Sequence, residues 1–283
     1  MINSHKLDIK VIDNFINVRL KSLFLPVLLL FVIAFILLKE SAFSVDGYIK
    51  IQENVFFYLN SKLSELPSLQ FNLTQLGDAL ILFPLLTVLI VYAPKLWGAV
   101  LTSGFISLII SFLLKKTFAV PRPAAVFDTD SFVIIGKTLS GYTSLPSGHS
   151  ITIFTIITIL LVAFMPKEFK AKIMWSIFIL ILGLVIAFSR VGVGAHYPLD
   201  VIIGSIMGYI SALLGIVINN KVNWWAWIKN KKYYPIFILL LIICGVAIIK
   251  KIVAINLLIF YFSLFAIVST LYLMIKIYVK KEY

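Results

Sequence analysis

Three histidines and three arginines occur in the 283 residues of this chain, and four of the six fall in two stretches: Arg122 with His149, and Arg190 with His196. His5 and Arg19 lie near the N-terminus, and Lys supplies every other positive side chain. A planar guanidinium that grips phosphate or carboxylate bidentately is the usual reason to need Arg where Lys otherwise serves. The stretch SRVGVGAHYPLD, residues 189–200, adds the carboxylate of Asp200 to Arg190 and His196. Pro198 suits the first turn of a helix and pushes Tyr197 out of the helical region. That sets His196 just before the helix and Asp200 inside its first turn. A carboxylate there is favoured by the helix dipole and can accept an N–H from the imidazole, fixing the tautomer and leaving the other ring nitrogen as a nucleophile. The three residues read as a cation to hold an anion, an imidazole to attack it and a carboxylate to aim the imidazole. Two plainer readings stand beside this one. In one, Asp200 serves only as a helix cap; in the other, His196 and Asp200 are metal ligands, with His149, Asp128 and Asp130 as the remaining candidates.

In PSGHS, residues 146–150, Pro146 stops a loop and Ser147-Gly148 opens a helix. Backbone N–H groups and the positive end of the helix dipole then face the loop, which makes an anion site. Gly148 lets an oxygen approach the backbone closely, and His149 stands on the first turn beside it. Lys115 and Lys116 end an apolar run, where long cationic side chains snorkel. Asp128, Asp130, Lys137 and Tyr142 read as solvated loop residues, and Gly192 and Gly194 as loop flexibility.

The elements that must position these residues are membrane helices. With 61% hydrophobic and 13% charged residues, the composition is that of an integral membrane protein and outside the range of soluble domains. Eight apolar runs, near residues 23–38, 79–93, 97–114, 150–165, 173–188, 199–218, 235–249 and 252–275, are expected to cross a hydrocarbon core of about 30 Å. The run at 235–249 is short and is split from the last by Lys250 and Lys251, so a re-entrant or tilted pair is an alternative there. The first run lacks a small-residue cleavage site and is followed by more spans, so a retained anchor is expected rather than a removed signal peptide. An even number of crossings separates the loop at 115–149 from the one at 189–198, which puts both on one face.

A net charge of +13 could suggest nucleic acid, but the positive residues are distributed as membrane-protein loops distribute them. Of the 25 Lys and Arg, 15 lie in segments 6–21, 95, 167–172, 221–232 and 276–281, all on one side of the membrane if the N-terminus is inside. Both termini are therefore expected in the cytoplasm, with the two loops on the outer face and no nucleic-acid partner. Trp224, Trp225 and Trp227 fall where an interfacial aromatic belt would lie. Cys244 stands alone in an apolar run, so no internal disulfide can form. Residues 5–22 and 45–66 are not spans but have helical periodicity. In the second, Val45, Ile49, Phe56, Leu59, Leu63 and Leu66 share a stripe that leaves Asp46, Lys50, Glu53, Asn60 and Glu65 off it. Both are expected as helices lying on the membrane surface, with packing on the bundle as the alternative.

Lys115, Arg122 and Pro123 (K-x6-RP), Pro146 to His149 (PSGH), and Ser189, Arg190, His196 and Asp200 (SR-x5-H-x3-D) resemble, in order and spacing, the three-part signature of the type 2 phosphatidic acid phosphatase family, related to vanadium haloperoxidases. All eleven specified positions are filled. The resemblance implies an all-α, polytopic membrane bundle with a six-helix core, the motifs lying at the end of the third helix, the start of the fourth and the junction of the fifth and sixth. The hydropathic spans place them there. A single membrane domain is expected: a cytoplasmic amphipathic tail (1–22), the first span and an outer interfacial helix (23–75), the family-like catalytic core (76–220), and a C-terminal extension with two further spans (221–283).

The resemblance further implies that His196 is the nucleophile forming a phosphohistidine, that Asp200 orients it, and that His149 is the acid for the leaving oxygen and then the base for water. It makes Lys115, Arg122, Ser147, Gly148 and Arg190 the holders of the phosphoryl oxygens. No metal or cofactor is implied, and phosphate or vanadate would occupy the site. The expected activity is hydrolysis of a lipid phosphate at the outer face of a cytoplasmic membrane, with substrate entering sideways past the stripe at 45–66. Substrates implied by the family are undecaprenyl pyrophosphate, phosphatidylglycerol phosphate, phosphatidic acid, diacylglycerol pyrophosphate and lipid A. A phosphotransferase using the same phosphohistidine is the alternative, and a lipid transporter without chemistry a remoter one.

Overall fold

A computed structural model describes residues 2–222 and 224–279, with side chains from residue 6 onward. The described residues are helical and contain no strand. Lys280 and Lys281, counted above among the cytoplasmic charges, and the side chain of His5 lie outside the described part.

The chain begins with α1 (Ile2–Phe15), then α2 (Phe24–Lys39), the short α3 (Val45–Lys50) and α4 (Glu53–Leu63). A bent pair follows, α5 (Pro67–Gln75) and α6 (Ala79–Leu86), meeting at 72°, and then α7 (Leu89–Tyr92). The centre of the molecule is α8 (Pro94–Phe118), α10 (Gly148–Ala163), α11 (Phe169–Gly192) and α12 (Pro198–Lys221), with the single turn α9 (Pro123–Val126) in the loop between α8 and α10. The chain closes with the hairpin of α13 (Tyr234–Ile255) and α14 (Leu258–Val279).

Among the described residues, six helical segments are long and apolar enough to cross a membrane: those containing α2, α8, α11, α12, α13 and α14. The other two expected spans differ from the rule in instructive ways. Pro84 interrupts the second one inside α6, where a missing N–H and the ring clash break the helical ladder. The fourth, α10, has 16 residues, about 24 Å at 1.5 Å per residue. Packed between α8, α11 and α12, and buried along most of its length, it meets protein rather than lipid, so it need not match the bilayer.

Each helix of the C-terminal pair is long and apolar enough to cross a membrane by itself. Each helix has 22 residues, about 33 Å, and the break falls at Asn256–Leu257 rather than at Lys250 and Lys251. Those two lysines sit in the last turns of α13, where their stems can run along apolar surface to the helix end.

Two surface-helix expectations change. The helix expected within residues 5–22 forms as α1, but Val11 and Phe15 are fully buried in the main apolar core and the helix docks on the bundle. Asn14 Nδ2 donates to the carbonyls of Ala163 (2.9 Å) and Met165 (3.2 Å) at the end of α10. Asp8 accepts from the Lys95 backbone N–H at 2.9 Å and pairs with Lys229, also at 2.9 Å. Orphan carbonyls and N–H groups at helix ends need such partners, which favours docking over lying in a headgroup layer. The stripe at 45–66 breaks at 51–52 into α3 and α4, and Ile49 and Phe56 turn into the protein. Phe56 packs against Phe57, Phe127, Phe132 and Tyr197, with ring centroids 5.3–6.0 Å apart. Asn60, expected on the polar side, is buried. Its amide donates to the carbonyls of Val133 and Val191 at 3.0 Å and accepts from the Val133 N–H, pinning the 119–147 loop to the end of α11. This stripe therefore gives a lipid no landing surface at its centre. Trp224 stays exposed, whereas Trp225 donates to Thr102 Oγ1 at 2.9 Å and Trp227 stacks on Phe237.

Candidate active site

All the motif residues collect at one end of the central helices. The end of α8 is closed by Ala119, whose left-handed φ of 45° turns the chain sharply out of the helix. Residues 120–122 then lie beside residues 141–144: the Ser144 N–H donates to Val120 O at 2.9 Å and the Arg122 N–H to Gly141 O at 2.8 Å. The first motif is thereby tied to the segment running into PSGH. Ser147 is the N-cap of α10. Its hydroxyl oxygen accepts from the Ser150 N–H (3.4 Å) and hydroxyl (2.9 Å), and its own N–H donates to Asp200 O at 3.0 Å. That bond joins the start of α10 to the first turn of α12.

At the α11–α12 junction Tyr197 is extended (φ −76°, ψ 158°) and α12 starts at Pro198, as the proline chemistry predicts. Gly194 takes φ +74°, and a side chain there would strike the Val133 carbonyl and the Phe132 ring, so this glycine serves the turn and the approach of the outer loop. His196 is buried. Its Nε2 lies 3.3 Å from Arg122 Nη1, which also donates to Ala195 O at 3.0 Å. Because a guanidinium can only donate, Nε2 must present its lone pair and the ring proton belongs on Nδ1.

The other edge of the ring departs from the simple pairing expected. His196 Nδ1 is 3.5 Å from Asp200 Oδ2, too long for a good hydrogen bond. Asp200 is instead saturated by others. Tyr48 donates to Oδ1 at 2.7 Å, Ser144 to Oδ2 at 2.6 Å, and the Tyr197 N–H to Oδ2 at 3.0 Å. Ser144 Oγ also lies 3.4 Å from His196 Nδ1, so it stands between carboxylate and imidazole. Asp200 is thus a cap, as the plainer reading held, and also the anionic anchor beneath the ring.

Arg190 is buried; Nη1 donates to Thr74 Oγ1 at 2.6 Å, while Nε has no partner among the described residues. Lys115 is half-buried, unlike exposed Lys116. A Cβ built on Gly148 would sit 3.5 Å from Lys115 Nζ, so the ammonium approaches the opening turn of α10. Half-buried His149 makes no hydrogen bond through its ring among the described residues, and the backbone of Gly77 lies flat against it: a Cβ at Gly77 would overlap the ring. Among the described residues no three His, Cys, Asp or Glu side chains gather into a cluster that could hold an ion.

Burial, followed by the positive charges of Arg122, Arg190 and Lys115, pushes the His196 pKa well below the ordinary 6.5. The ring is therefore neutral near pH 7, the form with a lone pair to offer. Burial first and the Asp200 charge second raise Tyr48 well above 10, which keeps its hydroxyl protonated as a donor. Tyr48, Ser144, Thr74 and Gly77 were not marked by the motifs. Ser144 was within reach, two residues before PSGH. Tyr48 lies in a segment whose periodicity says helix but not which residue faces the site, and Thr74 and Gly77 lie at 67–78, between the helical stripe and the next apolar run, where no pattern marks them.

Residues 96–224 match the model of the PAP2 superfamily. The match starts at residue 96 rather than 76, so α5 to α7 fall outside it. A solved structure described as "Crystal structure of Aquifex aeolicus LpxE" is similar at 24% identity, covering 59% of this chain and 95% of that one, with a TM-score of 0.49. No curated protein matches the chain. The family match supports phosphatase chemistry. Residues 96–224 are therefore similar to the PAP2 superfamily, within a multi-pass helical membrane protein.

Proposed function

We propose that this protein removes a phosphoryl group from a membrane lipid, through a phosphohistidine formed on His196 Nε2. The observation that carries the reading is the setting of that nitrogen. It is neutral, turned toward Arg122, backed by Ser144 and Asp200, and at the same end of the bundle as Lys115, Arg190, the α10 N-terminus and His149. In the first step the Nε2 lone pair attacks phosphorus while the bond to the leaving oxygen breaks. Burial and then the charges of Arg190 and Lys115 hold the His149 pKa well below 6.5; the negative charge of a bound phosphate offsets those cations, so the ring takes up a proton beside the substrate and gives it to the leaving oxygen. In the second step His149 takes a proton from water as its oxygen attacks the phosphohistidine, and phosphate leaves with His196 neutral again. Asp200 steadies the positive charge that builds on the ring through Ser144. Lys115, Arg122, Arg190, the Ser147 hydroxyl and the backbone around Gly148 hold the phosphoryl oxygens as charge spreads over them. The unpartnered Nε of buried Arg190 is the strongest local support for an anionic guest, since buried donors are rarely left unpaired.

The substrate class is a lipid phosphate because the site lies at the end of membrane helices, within reach of a headgroup. With the Lys- and Arg-rich ends of the helices inside, the site faces the outer side of a cytoplasmic membrane and both termini face the cytoplasm. The whole chain works as one membrane unit around a catalytic region at 76–220.

The test is phosphate release by detergent-purified protein from a panel of lipid phosphates: phosphatidic acid, phosphatidylglycerol phosphate, diacylglycerol pyrophosphate, undecaprenyl pyrophosphate and lipid A. Activity that survives EDTA, is inhibited by vanadate and is lost in His196→Ala is expected. Phosphate release that persists in His196→Ala, or that needs an added metal, would sink the mechanism. Labelled phosphate passed to a lipid acceptor with little released would make the protein a transferase.

A further inference from the structure

The hairpin of α13 and α14 lies outside the family match, yet it is stitched along its length to the bent pair that carries Gly77. The Ile259 N–H of α14 donates to Asn72 Oδ1 of α5 at 3.1 Å. Ser263 Oγ donates to Ile81 O at 3.0 Å, and the hydroxyls of Thr87 and Thr270 meet at 2.9 Å. At the site end, Lys251 Nζ of α13 pairs with Asp78 Oδ2 at 2.9 Å, while Asp78 Oδ1 caps α6 by accepting from the Leu80 N–H at 2.9 Å. Lys251 Nζ also stands 5.7 Å from the centroid of the Phe260 ring. Asp78 is therefore held from both sides, and the residue before it is Gly77, whose backbone touches the His149 ring.

We propose that the C-terminal hairpin is a positioning element for the site, with Lys251 acting through Asp78 and Gly77 to set where the His149 ring stands. This rests on the reading of His149 as the proton donor and acceptor. The ring has no hydrogen bond of its own among the described residues, so packing is what locates it, and the wall it packs on is one turn of backbone. Both partners of the ion pair are about one-third exposed, and such pairs add little to stability. Their contribution is a fixed distance between α13 and the α5–α6 turn. Proton transfer requires donor and acceptor to be within hydrogen-bond reach, and small misplacements of a catalytic group are expensive in rate.

The experiment uses the full-length protein in detergent, with whichever lipid phosphate of the panel it hydrolyses fastest. Lys251→Met and Asp78→Asn, the second keeping the helix cap, should each lower kcat about tenfold with KM changed less than about twofold. Lys251→Arg should retain at least about half of the parental kcat, because it keeps charge and reach. In the His149→Ala background, adding Lys251→Met should change the residual rate by less than about twofold, as expected when one residue acts only through the other. An unchanged kcat in both single variants, a rise in KM alone, or a tenfold loss that persists without the His149 ring would overturn the proposal. If instead the parental protein releases no phosphate, or His196→Ala remains active, the functional reading itself fails. Parental activity, measured first, tells the two failures apart.

Discussion

The two imidazoles of the site are held in opposite ways. His196, at the α11–α12 junction, is buried and bracketed on both edges: Arg122 on Nε2 at 3.3 Å, Ser144 and Asp200 near Nδ1 at 3.4 and 3.5 Å. His149, on the first turn of α10, is half-buried and located by the Gly77 backbone. The supports of the first ring lie within the family-matched region, apart from Tyr48 beneath Asp200. Those of the second come from α5, α6 and the C-terminal hairpin, all outside it. The contrast fits the roles proposed for the two rings: a nucleophile attacks one atom along one line and is served by rigid bracketing. A group that must give a proton to one oxygen and later take one from another is served by a wall that leaves its nitrogens free.

Removing each ring is the strongest way to test this contrast. His196→Ala should reduce turnover by about 10⁴-fold or more and form no labelled phosphoenzyme. His149→Ala should slow lipid hydrolysis by about 10²- to 10⁴-fold yet still form phosphoenzyme from p-nitrophenyl phosphate, whose leaving group departs without a proton. Absence of phosphoenzyme in both variants would erase the distinction between the rings. Arg190→Lys should cost on the order of 10²-fold in kcat, because an ammonium cannot keep the bond to Thr74 and present a second donor in the same plane. A rate within threefold of parental would show that only charge matters there.

Smaller changes sharpen the picture. Tyr48→Phe removes one of three hydrogen bonds to Asp200, worth about 1 kcal/mol, so kcat should fall roughly fivefold while His149-dependent leaving-group effects stay as they are. The weakest effect is on stability. His196 is held neutral in the folded protein with its pKa below 6.5, whereas the unfolded chain would protonate it near 6.5. Its contribution is therefore complete above pH 6.5 and is lost as pH falls below it. His196→Ala should flatten the acid side of the detergent-state melting curve between about pH 6.5 and 5; an unaltered slope would mean that the ring titrates alike in both states.

Much of the site was legible because the motifs are compact. Pro198 starts α12 and Asp200 lies in its first turn for local steric reasons, and Ser147 caps α10 for the same kind of reason. The partners were not legible. Asp200 alone suggests a bond to His196; the pairing is loosened because Tyr48, 152 residues away in the chain, and Ser144 compete for the same oxygens. Periodicity identified helices at 5–22 and 45–66, yet a hydrophobic stripe is the same whether it meets lipid or protein. Hydropathy likewise found the C-terminal runs but misplaced their turn, since a lysine near a helix end and a lysine in a loop are equally polar to a sliding window.

What the sequence determined by itself is the membrane-embedded helical class, the three motif segments, and the backbone conformation at the two helix starts. These follow from composition and from steric rules spanning a few residues. Only the tertiary structure decided which oxygen faces which nitrogen around His196, that α1 docks on the bundle, and that Lys251 reaches a turn touching His149. Those facts depend on how helices far apart in the chain share a limited set of polar partners in a setting where unpaired groups are costly, and no local rule contains that competition.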